Sequence, residues 1–247
     1  FSAVLYSSNT DFTVAADSNL SPTGVRWNGI AGRNKSGSNF YSIVETTGTP
    51  ANNGTSRKAG VRNGVVDALE DYLFFENTDA GSADIDYFVS TATGSTFASF
   101  APQDYTSLTA SWLVSRSTST TQAGYYVTVQ VGGIWYSSTT NAASSETGGV
   151  ATVNLLTSSW VTININPTAG TSGSLGRGTT TSTYANLFGA GQSITGFGFY
   201  VDDLSVSSTA SRTLRIDNIT IDGVIPEPSV ALSGLLGTRF LFLRRRR

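Results

Sequence analysis

The stretch YYVTVQVGGIWYSS, residues 125–138, decides how the chain is read. Val127, Val129 and Val131 alternate with Tyr126, Thr128 and Gln130, a period of two that sends the valines to one sheet face and the other set to the opposite face. Gly132-Gly133 then supplies two residues that take positive φ without a Cβ penalty, as a two-residue hairpin turn requires. Ile134-Trp135-Tyr136 opens the return strand, so the stretch is a β-hairpin with one buried face, and Trp135 and Tyr136 point to opposite sides of it.

The same pattern recurs outward from this hairpin. WVTININP (160–167) alternates until Pro167 stops it, and GFGFYVDD (196–203) and TLRIDNITIDG (213–223) add two more strands rich in β-branched and aromatic residues. Earlier in the chain FSAVLYSS (1–8), FYSIVETTG (40–48), DYLFFENT (71–78) and DIDYFVST (84–91) also read as strands. VVDALEDYLFF (65–75) is ambiguous, because Val66, Leu69 and Leu73 also fit helical spacing; a strand is the expectation kept. The Ser/Thr/Gly-rich TAGTSGSLGRGTTTST (168–183) reads as a long loop. Many strands, no βαβ rhythm and no fixed-period repeat predict an all-β chain. The expected fold is an antiparallel β-sandwich of jelly-roll type over residues 1–223, followed by a tail, 224–247, that carries a short C-terminal apolar helix.

Composition narrows the chemistry. With 247 residues, 39% of them hydrophobic, the chain can fill a real core. It contains no cysteine and no histidine, which removes disulfides, thiolate nucleophiles, Ser-His-Asp and Cys-His pairings and imidazole metal sites. Methionine is absent too, so a chain that starts at Phe1 is expected to be a processed form, from which a targeting segment has been removed, or a trimmed one. Five of the fifteen basic residues, Arg239 and Arg244 to Arg247, lie in the last nine positions. The body before Pro226 carries ten basic against sixteen acidic residues, a net charge of −6 and a poor surface for nucleic acid.

The tail has its own order. Pro226-Glu227-Pro228 precedes an apolar run from Val230 to Leu243, interrupted by Ser233, Thr238 and Arg239, and Arg244, Arg245, Arg246 and Arg247 end the chain. Its 14 residues are short for a hydrocarbon core of about 30 Å, but cations after an apolar run have the polarity of a stop-transfer signal. These three elements in order resemble the PEP-CTERM sorting signal of bacterial exported proteins. The resemblance implies export through the inner membrane and transient contact with it through the tail. It further implies recognition by an exosortase-type enzyme, removal of the tail, and a location at the bacterial cell surface or in an extracellular matrix. Arg239 inside the apolar run departs from the pattern. The VQVGGIWYSS hairpin, SITGFGFYVDD and RIDNITIDG together look like the jelly-roll domains often placed before such tails, including concanavalin-like and galactose-binding-like sandwiches. That likeness implies a fold and names no ligand.

Four sets of residues are candidate sites. Trp27, Trp135 and Tyr136 are candidate carbohydrate-binding residues, since exposed indole and phenol faces stack on sugars, whereas Trp112 and Trp160, set among apolar strand neighbours, read as core. In carbohydrate-binding jelly rolls a final-strand Asp helps hold a structural calcium, and that likeness implies Asp217, with Asp202 and Asp203, as the candidate calcium site; the plain alternative is that Asp217-Asn218 satisfies backbone groups next to a strand. The acidic run from Asp67 to Asp86 lacks EF-hand spacing and reads as a solvated loop. Asp84-Ile85-Asp86 is faintly similar to the Glu-x-Asp-x-x-Glu strand of sandwich-fold glucanases, but position 84 is Asp and position 89 is Val, which removes the acid/base partner. The expectation is a non-catalytic exported protein associated with extracellular polysaccharide. The alternative is a structural subunit that polymerises with itself through strand edges.

Overall fold

The computed structural model describes residues 1–8, 27–32, 40–42, 51–52, 57–66, 69–77, 86–91, 97–116, 124–142, 148–166, 174–189, 191–202 and 212–227. They form two antiparallel sheets packed face to face. The first, of seven strands, runs in the order β11 (Gly149–Asn154), β8 (Ser107–Arg116), β15 (Arg212–Val224), β6 (Leu69–Asn77), β5 (Arg57–Val66) and β4 (Ala51–Asn52). β1 (Ser2–Ser7) lies beside the second half of β15, end to end with β6. The second sheet has eight strands. Its order is β13 (Ser174–Ser182), β12 (Trp160–Asn166), β10 (Ile134–Ser138), β9 (Gly124–Val131), β14 (Ile194–Asp202), β7 (Asp86–Thr91), β2 (Trp27–Gly32) and β3 (Phe40–Ser42).

The opening hairpin is β9–β10. Gly132 and Gly133 stand at φ +58° and +80°, both positive as a type I′ turn demands, and Val131 pairs with Ile134 across them. Val127, Val129 and Val131 are buried between the sheets together with Phe197, Phe199 and Val201 of β14. Facing them are Leu108, Ala110, Trp112 and Val114 of β8 and Ile216, Ile219 and Ile221 of β15. Trp112 meets Phe199 edge-on at 5.2 Å between ring centroids. Trp112 and Trp160 are core residues, as their neighbours predict.

RIDNITID shows why one residue matters in a strand. Strict alternation from Ile216 would send Ile219 and Ile221 to the opposite face. A bulge between Asp217 and Thr220 corrects this, with Asn218 at φ +48°, a region that Asn tolerates better than most residues. The Asp217 carboxylate accepts the Asn218 backbone N–H at 2.6 Å, and the Ile219 N–H goes to the Ser8 hydroxyl at 2.8 Å. All three isoleucines thereby reach the core.

One sequence expectation holds and one changes. Residues 65–66 and 69–75 fall in β5 and β6, whose pairing settles the helix-or-strand ambiguity in favour of the expected strand. Residues 174–182, expected as loop, form strand β13, because the open edge of β12 supplies backbone partners that override poor local propensity. The apolar helix expected in the tail lies outside the described residues, and no helix among those described is long and apolar enough to cross a membrane.

Candidate functional site

The eight-stranded sheet has a second buried face. Phe88 (β7), Tyr200 (β14), Ile163 (β12) and Leu175 (β13) form a cluster on the side away from the main core, with Tyr126, Trp135 and Ile165 packed against it. The sheet curls far enough for β13 to touch β7 and β2, so the edge strand roofs part of its own sheet. Arg177 is the strut of that roof. It reaches from β13 across β12, donating from Nε to the Ser137 hydroxyl at 3.1 Å and from Nη2 to the Ser138 carbonyl at 2.7 Å. Its guanidinium lies 3.5 Å above the Tyr126 ring, a cation–π stack. Beneath, the Tyr200 hydroxyl donates to the fully buried Asp86 carboxylate at 2.5 Å. Burial, then the negative charge of Asp86 and this hydrogen bond, push the Tyr200 phenol far above its ordinary value, so it stays protonated.

A different arrangement opens at the hairpin end of the sandwich. A groove of about 380 Å³ is lined by Val131, Gly132, Ile134, Tyr136, Leu187 and Gly189, with the amides of Asn186 and Gln192. One wall is the β9–β10 turn. The other is the end of the short helix α1 (Tyr184–Leu187) and the segment after it, anchored because Leu187 and Phe188 are buried and Phe188 packs edge-on against Trp160 at 6.2 Å. With those two side chains turned inward, Asn186 is left on the exposed side. The Gln192 N–H then closes a tight turn onto the Gly189 carbonyl at 3.0 Å, with Gly191 at φ +86° in the position where a type II turn needs positive φ. Ile134 is 51% exposed beside it. Among the described residues no hydrogen bond engages the side-chain carboxamide of Asn186 or Gln192 or the Tyr136 hydroxyl. The described lining therefore offers apolar surface, one aromatic ring and two carboxamides, a mixture suited to binding a ligand with both polar and apolar faces.

The residues expected to matter are scattered. Tyr136 lines the groove and leans on the core; Trp135 lies on the opposite face, half-buried, edge-on to Phe88 at 5.0 Å. The Trp135 indole covers Gly196, where an added Cβ would stand 2.7 Å from its Cη2. Trp27 does not meet the expectation of a sugar platform. It is fully buried, stacked 6.1 Å from Phe199, with its indole N–H donated to the Tyr6 hydroxyl at 3.1 Å, because β2 sits inside the sheet with this side chain toward the core. Asp217 serves as the bulge brace described above and is 4% exposed. Asp202 lies on the other sheet at the end of β14, Asp203 is outside the described residues, and among the described residues no three acidic side chains converge on a point. Asp86 faces the roofed side and Val89 the main core, while Asp84 lies outside the described residues. Pro226 and Glu227 are exposed after β15, and Pro228 with the arginine run is outside the described residues. Sequence reasoning missed Asn186, Gln192 and Arg177, all in stretches that carry no periodic signal.

No protein-family model matches the sequence, and no curated protein is similar to it. Among solved structures the chain is similar to the Stig cyclase Fisc from Fischerella sp. TAU, with 11% identity, 92% of this chain and 100% of that chain covered, and a TM-score of 0.45. It is also similar to an endo-1,3-beta-glucanase from Streptomyces sioyaensis, at 12% identity, 91% and 97% coverage and a TM-score of 0.39. A third is the CBM2 module of the evolved Dit of Lactobacillus casei BL23 phage J-1, at 10% identity, 92% and 97% coverage and a TM-score of 0.36. At these scores the likenesses assign neither activity nor ligand, and the sandwich stands on the sheet pairings given above.

Proposed function

We propose that the chain is an exported, non-catalytic β-sandwich, jelly-roll in type, that associates with extracellular polysaccharide through the groove beside Tyr136. The observation that carries the reading is the groove itself: a volume of about 380 Å³ in which two carboxamides and a phenol stand beside exposed apolar surface. Sugars present the same mixture, hydroxyls around the ring edge and C–H groups on its faces. The burial of Asp86 under Tyr200, which withdraws that carboxylate from any substrate, supports a binding role. The PEP-CTERM-like ending supplies the address, an exosortase-type enzyme as processing partner and the cell surface or matrix as destination. Co-sedimentation with insoluble polysaccharides tests the reading. The chain should pellet with at least one, Tyr136→Ala should remain in solution, and no reducing ends should appear; release of reducing ends, or identical pelleting of the variant, overturns it.

A second reading, self-assembly, is favoured by one observation. Val150 is 71% exposed on β11, which pairs only with β8 among the described strands, so an apolar residue sits on an open sheet edge. Sedimentation that shifts with protein concentration and is abolished by Val150→Lys supports it; a concentration-independent monomer removes it.

A further inference from the structure

We infer that the groove selects neutral sugar units and rejects carboxylated or sulfated ones, an inference that rests on the carbohydrate reading above and adds the ligand class to it. Three properties of the site lead there. Each carboxamide is at once donor and acceptor, which suits a hydroxyl, itself donor and acceptor, and suits a carboxylate poorly because that group only accepts. Asn186 and Gln192 stand on the segment that walls one side of the groove, and Gly132 on the other side sits beneath the Gln192 arm: a Cβ there would be 3.9 Å from Gln192 Oε1. The two amides thus face a sugar edge across the apolar floor of Val131, Ile134 and Leu187.

The second property is charge. No cation is found among the described lining residues, so an anionic group there would meet only neutral donors and no counter-charge to offset the water it loses. The cation fixed on the same sheet, Arg177, is committed to Ser137, Ser138 and the Tyr126 ring on the roofed face. The third property is the field of the whole body: its net −6 before Pro226, which the tail reduces to −2 in the full chain, keeps a sign that repels polyanions before they reach the groove. The volume, near the low end of small-ligand sites, suits a short piece of a chain, so affinity for a long polysaccharide comes from repeated weak contacts.

The test measures binding of the full chain, by titration calorimetry, to two neutral probes, maltohexaose and laminarihexaose, and to oligogalacturonate and oligoalginate of the same length. Asn186→Ala and Gln192→Ala are the key variants, since both side chains are exposed and their loss leaves the core intact. At least one neutral probe should bind at least about tenfold more tightly than either uronate. Each amide removal should weaken it about three- to tenfold, and Gln192→Lys should narrow the preference. If a uronate binds as well as or better than the neutral probes and Tyr136→Ala weakens it, the neutral-sugar inference falls while the carbohydrate reading survives. Neutral binding indifferent to both amide variants also overturns the inference. If none of the four probes binds, the carbohydrate reading itself falls, and this inference with it.

Discussion

Gly198→Ala and Gly196→Ala are the same chemical change two residues apart on one face of β14, and the structure assigns them opposite outcomes. A Cβ at Gly198 would fall far inside contact distance of the Val89 carbonyl oxygen, 2.8 Å from Ser90 Cα and 2.9 Å from the Thr128 hydroxyl oxygen. Two of these are backbone atoms of β7, so no rotamer relieves the clash, and β14 and β7 must separate near the Gly198–Ser90 pair. Overpacking of this kind costs up to about 3 kcal/mol, and weakening one or two ladder hydrogen bonds adds about 1 kcal/mol each. The reduced freedom of the unfolded chain returns about 0.5–1 kcal/mol, leaving a net loss of roughly 3–4 kcal/mol. At Gly196 the Cβ would meet the outer edge of the Trp135 ring at 2.7 Å, which a small indole rotation relieves, so strain of about 1 kcal/mol nearly cancels the same entropic gain. Urea unfolding measures both. The expected result is a large drop in midpoint for Gly198→Ala at unchanged slope, with Gly196→Ala close to wild type. If Gly198→Ala keeps wild-type stability, β14 and β7 are not packed as described.

Further expectations concern the roof and the buried phenols. Arg177→Ala removes the cation–π stack on Tyr126 and leaves the buried Ser138 carbonyl without its guanidinium donor; a loss of about 2–3 kcal/mol in chemical denaturation is expected, with Arg177→Lys intermediate. Both Tyr125 and Tyr200 have phenol pKa values raised chiefly by burial, Tyr200 also by Asp86, so the folded state holds protons that the unfolded state gives up above about pH 10. Their contribution is complete below that pH and is lost as pH rises. Stability should fall by roughly 3 kcal/mol per pH unit above about pH 10 for the two together, and Tyr200→Phe should about halve that slope in denaturation series run from pH 8 to 12. At the hairpin turn, Gly133→Val forces a β-branched residue to φ +80° and should cost at least about 1–2 kcal/mol by the same assay, while Gly133→Asn costs little.

Some of this was legible in residue order and some was not, for identifiable reasons. The hairpin could be read because period-two alternation and Gly-Gly act within a dozen residues and agree with each other. The burial of Trp112 and Trp160 follows from their strand neighbours in the same way. β13 could not be read, since SLGRGTTTS has little strand propensity and is held by pairing with β12 and by Arg177, a contact spanning 40 residues to Ser137. Trp27 looked like a free aromatic because its flanking sequence has no alternation that marks a face. The 217–219 bulge hid the common face of Ile216 and Ile219 from any fixed period. Asn186 and Gln192 became a site only where Leu187 and Phe188 turned inward and Gly191 turned the chain toward the hairpin, three dispersed signals that no local pattern joins.

The most direct test of the central claim is to map backbone amide shifts of the isotope-labelled protein as a neutral oligosaccharide is titrated in. The account predicts that perturbed amides cluster at Gly132, Ile134, Tyr136, Gly189 and Gln192, and that Tyr136→Ala abolishes them. Perturbations centred on Gln130, Trp135 and Thr195 of the opposite face, or none at saturating sugar, would contradict it.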